Sequence, residues 1–198
     1  MTKTVLFWRH GQTDFNVEGR FQGQSDVPLN DTGRAQAAEA ARRLAEFAPE
    51  HIVSSDLSRA AETADILASL VGLASSRDAR LREAAFGEWE GSTRAEVGLT
   101  WPSELADWVS GADGAPPGGE SRSRSGNRVA AAITDIVESA TAETIAIVAH
   151  GAVLRGAAEI LLDMTGTGRI GVLGNCGHGE FGWSERGWVL RSWGTNTR

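Results

Sequence analysis

The stretch that decides the fold is Val5-Leu6-Phe7-Trp8-Arg9-His10-Gly11-Gln12-Thr13, an apolar run that ends abruptly in polar residues. Its β-branched and aromatic members predict a short strand that is buried on both faces. A second run, Thr144–Ala149, has the same character and also ends in a histidine and a glycine, His150-Gly151. Because the carboxyl ends of parallel strands meet at one edge of a sheet, we expect the two histidines to lie together.

Strand-like and helix-like segments alternate along the rest of the chain. His51–Ser54 is a further strand candidate, and the aromatic runs at residues 180–183 and 188–193 predict a terminal hairpin. Helices are predicted over residues 31–47, with Asn30 as the N-cap, and over 55–72, 128–139 and 152–162. Residues 11–30 and 110–125 are predicted to be loops, the second of them exposed and mobile in its middle. This alternation predicts an α/β fold, a three-layer α/β/α sandwich around a mainly parallel sheet.

Length, charge and cysteine content narrow the class of protein. The 198 residues fit one domain over residues 1–198, with a variable cap region at about 92–120. A formal net charge of -7 argues against a general basic surface for nucleic acid or anionic membranes. Cys176 is the only cysteine, which excludes an intramolecular disulfide and a multi-cysteine zinc site. No apolar run is long enough to span a bilayer, so we expect a cytoplasmic protein without membrane or nucleic-acid partners.

Side chains suited to phosphate chemistry follow each predicted strand. Arg9 and His10 end the first strand, and Arg59 lies in the first turn of the helix after the second. Glu83 follows a weak extended segment that ends near residue 81, and His150 follows the last parallel strand. Each residue taken alone is more often a turn or surface residue. Together they supply a nucleophile, two cationic clamps and a proton donor, which predicts a binding site for an anion such as phosphate.

These residues and their neighbours form an ordered set of motifs. The set consists of Arg9-His10-Gly11-Gln12-Thr13 with Asn16, then residues 21–26, 54–60, 81–91, 118–121 and 148–151. In this order it resembles the histidine phosphatase superfamily, which has the phosphoglycerate-mutase-like fold. The resemblance extends from residue 5 to about residue 160. Within this superfamily, the sequence is similar to the phosphatase branch that includes actinobacterial glucosyl-3-phosphoglycerate phosphatases and broad-specificity acid phosphatases.

The resemblance implies a role for each residue of the predicted site. His10 would attack phosphorus and become a phosphohistidine, while Arg9, Arg59 and a protonated His150 would hold the phosphoryl oxygens. Glu83 would protonate the leaving group and then deprotonate the attacking water, so it must carry a proton near neutral pH. No metal and no cofactor is implied.

Further residues are expected to contact the substrate, a small phosphomonoester such as a sugar phosphate or a phosphoglycerate. Asn16, Gln22 and Gly23 match positions that line the pocket in the family. Gly151 would let the backbone approach the ligand closely. The possibility of a homodimer, formed through a sheet edge or a helix face, also follows from the resemblance alone.

Two other functions compete with the phosphatase. Cofactor-dependent phosphoglycerate mutases carry a longer insertion with a tyrosine, a lysine and paired arginines, whereas residues 92–119 here contain Arg94 as their only basic residue. This difference favours the phosphatase. A catalytically silent binding or regulatory protein would keep the fold without the chemistry, and phosphorylation of His10 would distinguish the two.

The remaining candidate residues are expected to have structural roles. The hydroxyl of Thr13 either shapes its turn or bonds within the loop. Glu120 and Ser121 either cap the next helix, which is favoured, or reach the substrate. Arg122, Arg124 and Arg128 are expected to form a solvated helix start. Trp183, Trp188 and Trp193 are expected to pack in the hairpin, and Trp101 and Trp108 to pack in the core rather than to form a pocket wall. Cys176 and His178 are expected to occupy strand or loop positions.

Overall fold

A six-stranded sheet forms the centre of the protein in a computed structural model that describes residues 2–111, 113–164 and 169–195. The strands are β1 Lys3–Arg9, β2 His51–Ser54, β3 Ser75–Arg77, β4 Thr144–Ala149, β5 His178–Ser184 and β6 Gly187–Thr195. Their order is β3-β2-β4-β1-β5-β6, with parallel pairing among the first four and antiparallel pairing for β5 and β6. The predicted α/β fold with a mainly parallel sheet is confirmed. Met1, Ala112 of the predicted cap, and residues 165–168 and 196–198 lie outside the described residues.

The four predicted helices are present, one of them begins well before its predicted start, and three short helices were not predicted. They are α1 Asp14–Glu18, α2 Asp31–Ala45, α3 Ser58–Val71, α4 Arg94–Thr100, α5 Pro102–Ser110, α6 Arg122–Ser139 and α7 Gly151–Leu161. Helix α1 lies inside the predicted loop, because Thr13 and Asn16 form a capping box that begins it. Helix α6 begins six residues earlier than predicted, at Arg122 instead of residue 128, because Ser121 caps it.

Alternate residues of β1 pack on opposite sides of the sheet. Val5 and Phe7 join the core beneath α6 and α7, whereas Leu6 and Trp8 join the core beneath α2 and α3. All four side chains are fully buried. Burial of both faces is what a continuous apolar strand predicts, and it makes the molecule a three-layer sandwich.

The segment from α4 to the start of α6 packs over one end of the sheet. Trp108 contacts Phe86 and Trp89 edge to face, with ring centroids 5.3 and 6.0 Å apart, so its predicted packing role is confirmed. Trp101 also packs against this core. The loop that follows is less exposed than predicted, since Pro116 is buried and Gly119 donates to the carbonyl of Pro116.

Strands β5 and β6 form the predicted terminal hairpin. Trp183 lies opposite Trp188, and Trp188 and Trp193 both contact the buried ring of Phe181. The predicted packing role of these tryptophans is therefore confirmed. In the ranges that the structure describes, no helix is long and apolar enough to cross a membrane.

Candidate active site

The carboxyl ends of β1 and β4 bring the two predicted histidines together. In the parallel register Arg9 lies opposite Ala149, and the backbone N–H of His10 donates to the carbonyl of Ala149 at 3.1 Å. The rings of His10 and His150 are both buried, with centroids 5.1 Å apart. The expected meeting of the two strand ends is confirmed.

His10 has the tautomer of a nucleophile. Its Nδ1 lies 2.7 Å from the carbonyl oxygen of Gly11. Because a carbonyl oxygen only accepts, Nδ1 carries the proton and Nε2 carries the lone pair. Burial, reinforced by the positive charges of Arg59 and Arg9, lowers the pKa of His10 well below its usual value. The imidazole is therefore neutral near pH 7.

Arg9 and Arg59 supply two buried positive charges beside this ring. Nη1 of Arg9 donates to the carbonyl of Leu173 at 2.7 Å, and Arg59 donates to the carbonyls of Ser25 and Gly23 at 2.9 and 2.8 Å. The Nε atoms of both guanidiniums are buried without a hydrogen-bond partner among the described residues. Burial lowers the pKa of Arg59 to about 10, so it stays charged at neutral pH.

His150, which is expected to hold the phosphoryl group in its protonated form, lies in a fully buried position. Neither of its ring nitrogens has a hydrogen-bond partner among the described residues, and the ring is fully buried. Burial, followed by the nearby charges of Arg59 and the other basic groups, lowers the pKa of His150 well below its usual value. The ring is therefore neutral near pH 7.

Glu83 lies at the N-terminus of α7, the helix that His150 caps. Its carboxylate accepts from the backbone N–H groups of Ala152 and Val153 at 3.1 Å each, and from its neighbour Ala84 at 3.0 Å. The free N–H groups at the helix N-terminus hold the side-chain oxygens of Glu83 in place. One helix therefore positions both His150 and Glu83.

The loop after β1 places Asn16 and Gln22 beside His10. The amide oxygen of Asn16 accepts from the hydroxyl of Thr13 at 3.2 Å and from Nδ2 of Asn175 at 3.0 Å. Thr13 also donates to Oε1 of Gln22 at 2.9 Å, so its hydroxyl bonds within the loop, as one of its two expected roles requires. Asn175, which also donates to the carbonyl of His10, has no distinctive sequence pattern around it.

The two glycines of the predicted site have different positions. Gly23 has a left-handed φ of 55°, and its carbonyl accepts from Arg59. A Cβ on Gly151 would lie 3.3 Å from Nε of Arg9 and 2.9 Å from a methyl group of Val172. Gly151 therefore makes room for the Arg9 side chain instead of lining the cavity.

A cavity of about 150 Å³ collects most of the predicted residues. It is lined by Arg9, His10, Asn16, Arg20, Phe21, Gln22, Gly23, Arg59, Glu83 and Phe86. An adjoining hollow of about 260 Å³ shares three of these residues and extends to Phe15, Gly19 and Arg94. Its Phe15, Arg20 and Phe21 were absent from the sequence prediction, because only the short helix α1 and the turn after it bring them here.

Three residues near the start of α6 differ from their sequence predictions. Arg122 stacks on Trp108 and donates to its carbonyl at 2.6 Å, and Arg128 pairs with Glu120 at 2.7 Å, so neither arginine is simply solvated. Only Arg124 is exposed as expected. Ser121 caps α6 as predicted, whereas Glu120 accepts from the backbone N–H of Ala85.

Cys176 and His178 have the loop and strand positions expected of them. Burial raises the pKa of the Cys176 thiol to about 12, and its backbone N–H donates to the carbonyl of His10. His178 begins β5 and contacts Phe47 edge to face. In the part of the chain that the structure describes, no three potential metal ligands are grouped together.

Comparison with known families identifies this arrangement. A model described as histidine phosphatase superfamily (branch 1) matches residues 5–196. The chain belongs to the histidine phosphatase superfamily. This histidine phosphatase is 39% identical over 170 residues to a glucosyl-3-phosphoglycerate phosphatase of Mycobacterium tuberculosis, a match that covers 82% of this chain and 76% of the relative. It is 38% identical over 155 residues to the probable phosphoglycerate mutase GpmB of Salmonella paratyphi C, covering 76% and 70%.

A solved structure gives the same result for the histidine phosphatase fold. A mycobacterial glucosyl-3-phosphoglycerate phosphatase in complex with VO3 superposes with a TM-score of 0.90 at 35% identity, over 98% of this chain and 100% of that one. The predicted family and enzyme class are thus confirmed: the protein is a phosphoric monoester hydrolase for small phosphorylated metabolites. The alternative function, a phosphoglycerate mutase, is the one named for the GpmB relatives.

Proposed function

We propose that this histidine phosphatase hydrolyses small phosphomonoesters through a phosphohistidine formed on His10. The observation that carries the proposal is the buried His10 ring, which bonds to Gly11 through Nδ1 and keeps the lone pair of Nε2 free. The guanidiniums of Arg9 and Arg59 border the same cavity, which Arg20 also lines. A neutral nucleophile beside fixed positive charge is what phosphoryl transfer requires.

In the first step, the lone pair of His10 Nε2 attacks phosphorus and the ester P–O bond breaks. The electron pair of that bond stays on the leaving oxygen, which takes a proton from Glu83. Arg9 and Arg59 stabilise the negative charge on the transferring phosphoryl oxygens, through groups already held in place by backbone carbonyls. The product alcohol then departs.

In the second step, the carboxylate of Glu83 takes a proton from water as the oxygen attacks phosphorus. The P–N bond breaks, inorganic phosphate forms, and the lone pair returns to His10 Nε2. His150 gains its proton when the phosphoryl dianion enters, since the added negative charge offsets the guanidiniums that hold its pKa down. His150 thereby becomes the third hydrogen-bond donor to the phosphoryl group.

The adjoining hollow provides a place for the alcohol part of the substrate. It opens from the phosphate cavity across Phe21 and is bordered by Phe15 and Arg94. We place the cap of the single domain at about residues 92–120, which includes α4 and α5. A hollow lined by two phenylalanines and two arginines, Arg20 and Arg94, suits a sugar phosphate or a phosphoglycerate derivative, and the phosphatase relative is named for a substrate of this class.

The proposal extends to the surroundings of the enzyme. A cytoplasmic location is supported by the single buried cysteine. A homodimer through a sheet edge is supported by β6, whose outer side faces no other strand in the described sheet. A role without nucleic acid follows from the net charge of -7. Gel filtration with light scattering tests the dimer.

Release of phosphate in the presence of EDTA is the first test. The substrates are p-nitrophenyl phosphate, 3-phosphoglycerate, glucosyl-3-phosphoglycerate and other sugar phosphates. Wild type should release phosphate from several of them, His10→Ala should release none, and His51→Ala, altered outside the cavity, should behave like wild type. Activity in His10→Ala overturns the phosphohistidine. Formation of 2-phosphoglycerate from 3-phosphoglycerate with the bisphosphate cofactor, without phosphate release, identifies a mutase instead.

A further inference from the structure

The main chain of the segment that carries Glu83 is held by a side chain of α6, that of Arg128. Nη1 of Arg128 donates to the carbonyls of Arg80 and Arg82 at 2.7 and 2.9 Å. Nη2 donates to the carbonyl of Glu83 itself at 3.2 Å. Three carbonyls within four residues of chain thus accept from one guanidinium.

The remaining donors of Arg128 are committed to Glu120. Nε lies 3.1 Å from Oε1 of Glu120, and Nη2 lies 2.7 Å from Oε2. A guanidinium has five N–H donors, and these five contacts use all of them. The paired contact with a carboxylate also fixes the orientation of the planar group. Arg128 therefore has no donor left for a substrate and acts only on other parts of the protein.

Glu120 completes the connection from the other side of the segment. Its Oε2 also accepts from the backbone N–H of Ala85 at 3.0 Å, and its own N–H donates to the carbonyl of Ala85 at 2.8 Å. The pair is largely shielded from solvent, with 23% of the Arg128 side chain and 13% of the Glu120 side chain exposed. Residues 80–85 are therefore held on both sides of Glu83.

The two ends of Glu83 are positioned by different elements. Its carboxylate accepts from Ala152 and Val153 of α7, whereas its main chain is held by Arg128 of α6. A proton is transferred only over hydrogen-bond distance, so a small displacement of the main chain would move the carboxylate away from the leaving oxygen. The phosphoryl group, held by Arg9 and Arg59, would not move.

We propose that Arg128 and Glu120 are positioning residues for proton transfer by Glu83. This inference rests on the proposed function, because it assumes that Glu83 protonates the leaving group. It assigns to α6 a part in the proton transfers of Glu83, and kcat/KM reports the first of these, the protonation of the leaving group. When the leaving group needs no proton, transfer of the phosphoryl group to His10 should not depend on Arg128 and Glu120.

The test compares two leaving groups in Arg128→Gln. One substrate is 3-phosphoglycerate, or another alkyl phosphomonoester that the wild type hydrolyses. Its leaving group is an alkoxide, which needs a proton, whereas the leaving group of p-nitrophenyl phosphate is p-nitrophenolate, which departs without one. We expect kcat/KM to fall about 10-fold or more for the alkyl ester and less than about 3-fold for p-nitrophenyl phosphate. Glu120→Gln should act in the same direction. Arg124→Gln, which alters an exposed arginine of the same helix, is the matched control and should change neither rate.

A second arm separates positioning from a general loss of structure. In a Glu83→Gln background, Arg128→Gln should lower the alkyl rate little further, because the step that it supports is already lost. Arg128→Lys keeps the charge but has no planar fork, and it serves if Arg128→Gln does not fold. An equal fall for both leaving groups, or full additivity with Glu83→Gln, overturns the inference. Activity in His10→Ala would instead overturn the proposed function. That comparison uses only the wild type and His10→Ala, so it is independent of any change in α6.

Discussion

The hydroxyl of Thr63 holds the catalytic loop in place, and its removal tests how the nucleophile is positioned. Thr63 lies in α3, is fully buried, and accepts from the backbone N–H of Gly11 at 3.2 Å. Gly11 in turn accepts from Nδ1 of His10. Thr63→Val keeps the volume and the β-branched shape, so it removes the acceptor without opening a cavity.

The expected cost follows from the group that is left without a partner. In Thr63→Val the N–H of Gly11 stays buried without an acceptor, which costs about 1 to 3 kcal/mol. The other contact of the hydroxyl, a donation to the carbonyl of Arg59 at 2.7 Å, adds little because that carbonyl also belongs to the α3 ladder. A loss of about 2 kcal/mol lowers Tm by about 4 to 8 °C in a chain of this size.

Thermal unfolding followed by circular dichroism, together with kcat on two substrates, measures both effects. Thr63→Val should lower Tm by the amount above and reduce kcat similarly for p-nitrophenyl and alkyl phosphates, because the nucleophile serves both. Thr63→Ser keeps the hydroxyl and loses only a methyl group, which costs about 1 kcal/mol, and it should keep its kcat. If Thr63→Val unfolds within 1 °C of wild type by this assay, about the error of the method, the bond does not contribute as argued.

The remaining predictions concern the titration of the histidines and the space beside them. Because the pKa values of His10 and His150 are lowered in the folded state, the unfolded chain binds more protons below pH 6.5. The free energy of unfolding should therefore fall as the pH drops below 6.5, by at most about 1.4 kcal/mol per pH unit for each histidine. In His150→Gln, which has lost one of the two histidines, the fall should be less steep. Urea unfolding between pH 7.5 and 5 measures the two slopes, and equal slopes would contradict the assignment. A Cβ on Gly11 would overlap the carbonyl of Gly33, so Gly11→Ala should lose at least about 10-fold in kcat/KM, whereas Gly72→Ala, which meets no neighbouring atom, should keep its activity. Unchanged activity in Gly11→Ala would show that the loop can shift without moving His10.

Local patterns were enough to predict the framework of the fold. The limits of β2 and β4 agree with the apolar runs, and Asn30 caps α2 as predicted, by accepting from the N–H of Gly33. These features depend on residues within a few positions of one another. The short helices α1, α4 and α5 were not predicted, because their few residues carry too weak a period to distinguish a helix from a loop.

The sequence predicted those parts of the site whose positions depend on where a strand ends. His10, Arg59 and Glu83 line one cavity. His10 directly follows β1 as expected. Glu83 instead follows the 3-10 helix Ala79–Leu81, where an extended segment was predicted, because β3 ends at Arg77. His150 also lies beside His10, but its charge does not follow from its place in the sequence. Desolvation and two neighbouring guanidiniums decide that charge, and both depend on the packed molecule.

The sequence by itself determined the alternating elements, the histidines at two strand ends and the motifs of the family, because each depends on short-range order along the chain. Only the tertiary structure decided which polar residues support the chemistry. Arg128 has the same local pattern as a solvated helix start, but it reaches carbonyls 45 to 48 positions away in the chain. Such partners lie outside any local window, because folding alone brings them within hydrogen-bond distance.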